Sequence, residues 1–179
     1  MGELLRAEGW EQAAVEARFP AMWTAYLGNL RRVVERTEVR ALPGIPALLD
    51  RVEGGGPHVV LGLLTGNVAQ GAAIKLRAAG IDPARFTVGA YGSDHADRPE
   101  LPAVAVRRAR ELIGIDYRGK EVVIIGDTPF DVSCGHHLGV RTLAVATGMH
   151  SADDLRACDP DHVFADLSDT DAVWKAIAE

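Results

Sequence analysis

The stretch Val122-Val123-Ile124-Ile125-Gly126-Asp127-Thr128-Pro129-Phe130-Asp131-Val132, VVIIGDTPFDV, decides the fold. Its first four residues are apolar and β-branched, which predicts a strand buried on both faces of a parallel sheet. Gly126 closes the strand, Thr128 can act as an N-cap, and Pro129 suits the first turn of a helix. Gly139 is expected to end that helix. The stretch therefore predicts a strand, a tight turn and a helix in immediate succession.

Two carboxylates in this stretch are candidates for ligand chemistry. Asp127 follows the strand and Asp131 lies in the first helical turn. In open α/β sheets, ligands bind at the carboxyl ends of the strands. A carboxylate at this position also caps a helix or complements its dipole, so the pattern by itself leaves both interpretations open.

Composition places the chain among ordinary soluble globular proteins. The 179 residues are 47% hydrophobic and 25% charged, which is enough for one core with a small appendage. The net charge of -6 argues against nucleic-acid binding, which depends on clustered Lys and Arg. Two cysteines, no CxxC pair, no secretory signal and no membrane-length apolar run predict a cytoplasmic protein without a membrane partner.

The chain changes in texture near residue 40. Residues 1–40 have no strand-like run and fit two or three helices, with breaks near Gly9 and Pro20. From residue 41 to 179, strand and helix patterns alternate, which predicts an α/β fold with a parallel sheet covered by helices. The predicted strands lie at 58–64, 86–89, 122–125, within 140–146 and within 161–167, and the predicted helix N-caps include Asn67, Ser151 and Ser168.

Three predicted strand ends bring different chemical groups to one edge of the sheet. The first ends in Thr65-Gly66-Asn67, the second leads into a loop with Arg98, and the third ends in Asp127. A hydroxyl, free amides at a helix start and a cation suit phosphoryl oxygens. Carboxylates suit Mg²⁺, which prefers oxygen ligands. Arg107 and Lys75 remain alternatives to Arg98 as the cation.

These segments resemble a known family. LLTGN (63–67) with AAIKLRAAGI (72–81), RPELP (98–102) and GDTPFDVSCGHHLGVRTLAVATG (126–148) are similar to the second, third and fourth motifs of the haloacid-dehalogenase (HAD) superfamily. The resemblance points to the phosphoglycolate-phosphatase-like branch and covers about residues 42–170. It implies a Rossmann-like core over 41–179, and residues 1–40 resemble the remainder of an α-helical cap.

The resemblance also implies roles for individual residues. Thr65 and Arg98 would be catalytic, and together with Gly66 and Asn67 they would bind the phosphoryl group. Asp127 would ligate a Mg²⁺ cofactor directly and Asp131 would act through water. The implied substrate is a small phosphorylated metabolite, hydrolysed through an aspartyl-phosphate.

One element of that chemistry is absent from the sequence. The family's nucleophile is an Asp in a DxDxT motif after the first strand, and these 179 residues contain no DxDxT. We therefore expect a chain that starts within the cap of a longer phosphatase and has little or no activity by itself. In the family the missing strand lies between the strands that here end in Thr65 and Asp127, so we also expect unpaired backbone groups there.

Other interpretations stay open at this point. The chain could be a catalytically inactive phosphate-binding or protein-interaction domain. A dinucleotide-binding domain is disfavoured because no GxGxxG follows a strand, and a receiver domain fits the spread of residues less well. Cys134, His136 and His137 suggest zinc, but no fourth ligand is evident. His95 is the histidine expected nearest the site, and the oligomeric state is left open.

Overall fold

The computed structural model describes residues 9, 11–56, 58–95 and 97–179, with only the backbone of residues 12 and 16. The chain divides into two compact units, Met1–Val39 and Arg40–Glu179. In the described residues of the first unit, helix α1 spans Gln12–Glu16 and helix α2 spans Phe19–Arg36. Pro20 lies in the first turn of α2, where its missing N–H is harmless. The interpretation of residues 1–40 as a cap remnant stays a prediction.

The second unit alternates strands and helices, as the sequence predicts. The elements are α3 (Ile45–Glu53), β1 (Gly62–Thr65), α4 (Ala69–Ala78), β2 (Val88–Tyr91), α5 (Leu101–Ile113), β3 (Val123–Gly126), α6 (Pro129–Leu138), β4 (Arg141–Val145), α7 (Ala152–Arg156), β5 (His162–Phe164) and α8 (Thr170–Ala178). Short 3₁₀ turns span Pro83–Arg85, Arg98–Glu100 and Gly119–Glu121. Every described strand pairing is parallel, which confirms the predicted α/β class.

The strands form two separate parallel sheets. One has the order β1-β2 and the other the order β3-β4-β5. Thr65 is level with Tyr91 in the first sheet, and Gly126 with Ala144 in the second. Among the described residues, β1 has no strand on its second side and neither has β3. The strand expected between β1 and β3 stays a prediction.

Apolar packing covers both sheets. All five residues of β4 are buried, as expected for a strand with a partner on each side. The largest buried cluster joins α3, β4 and α8, and its members are Leu48, Leu143, Val145, Leu167, Val173 and Ala176. Leu64 of β1 packs against two further clusters, one around Leu101 and one around Ile124. The side chain of Leu64 thus contacts residues that belong with each of the two sheets.

Some element boundaries differ from the sequence prediction. β1 begins at Gly62 instead of residue 58, because β2 runs beside it only from Val88 onward. Asn67 does not cap α4, whose N-cap is Val68 without a side-chain bond, and Asn67 has other partners described below. Asp169 caps α8 instead of Ser168, since its carboxylate accepts a hydrogen bond from the N–H of Ala172.

The turn around VVIIGDTPFDV agrees with its prediction. Helix α6 begins at Pro129 with Thr128 as N-cap and ends at Leu138, with Gly139 left-handed at φ 70°. Ser151 caps α7 as predicted. Within the described ranges, no helix combines the length and apolar character needed to cross a membrane.

Candidate active site

A cleft of about 510 Å³ lies where β1 and β3 end. Its walls are Leu64, Thr65, Gly66, Asn67, Arg98, Ile125, Gly126, Asp127, Thr128 and Asp131. Every residue that the sequence assigns to phosphate or metal binding is in this set. The structure thus brings the predicted site residues together, while their roles stay predictions.

Thr65 and Asn67 form one wall of the cleft. The Thr65 hydroxyl oxygen accepts hydrogen bonds from the backbone N–H of Asn67 at 3.1 Å and from its side-chain Nδ2 at 2.9 Å. Oδ1 of Asn67 in turn accepts a hydrogen bond from Nζ of Lys75 at 2.9 Å. The backbone of the neighbouring loop is tied in as well, because the N–H of Gly92 donates to the Asn67 carbonyl.

Arg98 reaches the cleft from the 3₁₀ turn after β2. Its Nη2 donates a hydrogen bond to Oδ1 of Asp131 at 2.7 Å. Its Nη1 lies close to Gly66, since a Cβ added to that glycine would be 3.6 Å from it. Nε of Arg98 is buried and has no hydrogen-bond partner among the described residues. The backbone carbonyl of Arg98 accepts a bond from Sγ of Cys134, and burial raises the pKa of this thiol. The cation is thus held by α6 at two points.

Asp131 is occupied by partners within the chain. Its Oδ2 accepts bonds from the N–H of Thr128 at 3.1 Å and from the Thr128 hydroxyl at 2.7 Å, which completes a capping box, and its Oδ1 accepts from Arg98. A Cβ at Gly126 would overlap the Asp131 carboxylate, so the site requires glycine at this position. The geometry therefore makes Asp131 a structural anchor whatever else it binds.

Asp127 is the carboxylate left open to a ligand. In the described part of the chain its side chain makes no hydrogen bond or ion pair, although it lines the cleft and is half-buried. A Cβ at Gly148 would overlap its Oδ2, so the loop after β4 packs directly on it. Proteins bind Mg²⁺ through one or two carboxylates plus water and ligand oxygens. The open carboxylate of Asp127 is a donor of the kind that Mg²⁺ takes in this manner, and its role as a metal ligand stays a prediction.

A protein-family model matches part of the chain. The HAD-hydrolase-like family matches residues 99–170, which include the strand, the turn and both carboxylates. This part of the chain is HAD-like.

A curated relative is similar to the chain in sequence, and two solved structures share its fold. The pyrophosphatase PpaX of Bacillus velezensis is 29% identical over 109 residues, which are 61% of this chain and 49% of that protein. The chain thus spans about half the length of the curated relative that it matches. CbbY from Rhodobacter sphaeroides, solved with xylulose-(1,5)bisphosphate, superposes with a TM-score of 0.69 at 19% identity, over 93% of this chain and 77% of that one. A predicted phosphoglycolate phosphatase from Haemophilus somnus gives 0.66 at 19% identity, over 92% and 68%. These structures confirm the expected Rossmann-like fold.

The described residues around Cys134, His136 and His137 have partners other than a zinc ion. Sγ of Cys134 faces the Arg98 carbonyl, Nε2 of His136 lies 2.9 Å from the carbonyl of Asp159, and Nε2 of His137 lies 3.2 Å from Glu100. Across residues 9, 11–56, 58–95 and 97–179, no three His, Cys, Asp or Glu side chains are grouped to hold a metal ion. Each of these side chains therefore has a local structural partner.

Several residues around the site gained significance only from the structure. Thr128 was expected only as a cap, yet it lines the cleft. Gly148 packs on Asp127. In the sequence, Gly148 is only one of the small residues that follow the β4 pattern, which does not indicate this contact. Lys75 binds Asn67, which its position in the middle of a helix pattern did not indicate. His95, expected near the site, is not among the cleft residues, and its Nδ1 accepts a bond from the N–H of Asp97.

Proposed function

We propose that this chain provides the phosphate-binding and Mg²⁺-binding part of a hydrolase site for a small phosphate monoester. The observation that carries the proposal is the convergence of Thr65, Asn67, Arg98 and Asp127 in one cleft of about 510 Å³. The volume suits a small phosphorylated metabolite. A fixed cation, a hydroxyl and amides at a helix start match the oxygens of a phosphoryl group.

The position of Arg98 supports phosphate as the ligand. Arg98 lines the cleft and its side chain is 39% exposed, so part of the guanidinium is accessible to an anionic oxygen there. Arg98 would neutralise charge on the phosphoryl oxygens, and the Thr65 hydroxyl would donate a hydrogen bond to one of them. Asp127 would hold Mg²⁺ directly and Asp131 would support the same ion from behind its direct ligands or through water; a bound ion would supply further neutralisation of phosphoryl charge.

The described cleft offers no additional carboxylate as a nucleophile. Its acidic residues are Asp127 and Asp131, the first assigned to Mg²⁺ and the second bonded to Arg98 and Thr128. An aspartyl-phosphate needs a third carboxylate in line with the ester bond. We therefore propose that the 179 residues by themselves bind phosphate without turning over phosphate esters.

Two measurements test this proposal. Isothermal titration with inorganic phosphate and Mg²⁺ should show binding that Arg98→Met removes, while the matched control Arg107→Met, an exposed arginine on α5, retains it. Absence of binding to the unaltered chain contradicts the proposal. An aryl phosphate assay with Mg²⁺ should show no turnover, and turnover abolished by Asp127→Ala contradicts the inactive part of it.

The divided sheet favours a second candidate, an interaction domain without catalysis. β1 and β3 each present a free backbone edge within the described residues, and Ile125 on β3 is 37% exposed. Such edges pair readily with another chain. If a second copy fills the β3 edge, amide exchange at Ile125 should slow as concentration rises and light scattering should show a dimer, because the N–H of Ile124 faces β4 and that of Ile125 faces the free edge. Fast exchange at Ile125 and a monomer at every concentration contradict this candidate.

A further inference from the structure

The hydroxyl of Thr65 is constrained to act as a donor toward the cleft. A hydroxyl has one proton and two acceptor lone pairs. In Thr65 both acceptor positions are used by Asn67, through the backbone N–H at 3.1 Å and Nδ2 at 2.9 Å. The remaining capacity of the hydroxyl is its proton. Because Thr65 lines the cleft, that proton is available to an anionic oxygen there.

The amide group of Asn67 is oriented by Lys75. Nζ of Lys75 donates to Oδ1 of Asn67 at 2.9 Å, from a position eight residues further along the chain in α4. Side chains on a helix lean toward its N-terminus, so Lys75 extends back to the start of α4. An ammonium only donates hydrogen bonds, so the Asn67 oxygen must face it and Nδ2 must face Thr65.

From this chain of bonds we infer that Lys75 is a positioning residue for phosphate recognition by Thr65. The inference rests on the proposed function, since it takes phosphate as the ligand of the cleft. Lys75 is not among the described cleft-lining residues, so it acts through Asn67 and not by touching the ligand. The ammonium polarises the Asn67 amide, and the polarised Nδ2–H strengthens the donor character of the Thr65 hydroxyl.

A purely electrostatic role for Lys75 makes a different prediction. A positive charge near the cleft attracts anions through space, and this effect persists whether or not Asn67 is present. Positioning through Asn67 requires both residues, because either substitution breaks the same chain of hydrogen bonds. Non-additivity in a double-mutant cycle therefore separates the two roles.

The test is isothermal titration with inorganic phosphate on five chains besides the unaltered one: Lys75→Met, Asn67→Ala, the double variant, Lys75→Arg and Arg77→Met. We expect each of the first two to weaken phosphate binding by about fivefold to tenfold, and the double variant to be no weaker than the single ones. Lys75→Arg should restore most of the affinity. Arg77→Met removes an exposed charge from the same helix and should bind phosphate like the unaltered chain.

Additive losses, or no loss in Lys75→Met, overturn the inference. A second readout separates this failure from failure of the proposed function. In ¹⁵N-resolved spectra of the unliganded chain, Lys75→Met should shift the Asn67 side-chain amide signals and speed their exchange with solvent. If the unaltered chain does not bind phosphate, the proposed function fails and with it the role in recognition. Unchanged Asn67 signals overturn the positioning contact itself.

Discussion

Nη2 of Arg98 donates a hydrogen bond to Oδ1 of Asp131 at 2.7 Å, and this ion pair joins the 3₁₀ turn after β2 to the first turn of α6. The Arg98 side chain is 39% exposed and the Asp131 side chain 12% exposed. The arginine is therefore open to a ligand on one side, while the carboxylate is enclosed. A residue expected to bind phosphate and one expected to bind metal are thus physically connected.

The two carboxylates of the turn should differ in their effect on stability. Asp131→Asn weakens the Arg98 ion pair and the capping box, and we expect it to lower the free energy of unfolding by about 1–3 kcal/mol. Asp127→Asn should change it by less than about 0.5 kcal/mol, since Asp127 has no side-chain partner in the described part of the chain. Urea unfolding measures both, and equal effects contradict the distinction.

Metal binding should depend most strongly on Asp127. Mg²⁺ should raise the melting temperature of the unaltered chain, and chelation with EDTA should reverse the increase, because a ligand of the folded state stabilises it. Asp127→Asn should remove this response. The matched control Asp153→Asn, an exposed carboxylate in α7, should retain it. A Mg²⁺ response that survives in Asp127→Asn places the ion elsewhere.

Glycine at 126 and 148 should be essential for packing. A Cβ at Gly126 would overlap the Asp131 carboxylate, and one at Gly148 would overlap that of Asp127. Alanine at either position should lower the free energy of unfolding by about 1–3 kcal/mol. Gly28→Ala is the control, since nothing lies within 4 Å of its Cβ position and it sits inside α2, where alanine is expected to stabilise the helix. Unchanged urea midpoints for both site variants contradict the packing argument.

The sequence predicts the structure of VVIIGDTPFDV (122–132) well. The strand, cap, helix and both carboxylates there follow from local rules, because β-branched residues, threonine, proline and glycine each restrict the backbone in a known way. The convergence of Thr65, Arg98 and Asp127 also follows, since parallel strands end at one edge.

Other features depend on contacts between distant residues. The hydrogen bond from Lys75 to Asn67 depends on the rotamer of a long side chain, which the sequence does not specify. The prediction that Asn67 caps α4 is wrong because its side chain is bonded to Lys75 and Thr65 instead. The two-residue shift of β2 arises from its register with β1, where Gly62 pairs with Val88. The ion pair between Arg98 and Asp131 joins segments 33 residues apart, and no local pattern encodes such a distance.

Acid should weaken the ion pair between Arg108 on α5 and Asp94, which follows β2. Arg108 binds both oxygens of Asp94, and this hydrogen bonding holds the pKa of the Asp94 carboxyl below its usual range. Its contribution is fully present above the unfolded-state pKa of about 3.9 and is lost as pH falls through the lower folded-state value.

Asp94→Asn tests that contribution directly. It should cost about 1 kcal/mol at neutral pH, a value reduced because Arg108 is 38% exposed. The difference in stability between this variant and the unaltered chain should shrink below about pH 4. Unfolding midpoints at neutral and acidic pH measure it, and a constant difference across that range contradicts the assignment.

The two cysteines should react at different rates. Cys134 is buried, and burial raises the pKa of its thiol, while Cys158 is partly exposed. Because the thiolate is the reactive form, iodoacetamide should modify Cys158 first in the folded chain, and both residues at similar rates in urea. Mass spectrometry of tryptic peptides measures the order. Faster modification of Cys134 would mean that α6 opens more readily than its contact with Arg98 suggests.

The two glycines packed against the carboxylates limit which positions can be varied to change the ligand preference of the cleft. Because a Cβ at Gly126 would overlap the carboxylate of Asp131 and one at Gly148 that of Asp127, variation at either glycine displaces a carboxylate. Three exposed apolar residues stand next to these positions in the sequence: Ile125 precedes Gly126, Phe130 precedes Asp131 and Met149 follows Gly148. They are 37%, 67% and 97% exposed. A directed-evolution library should therefore randomise these three apolar positions, where new shapes can be sampled while the folded scaffold is kept.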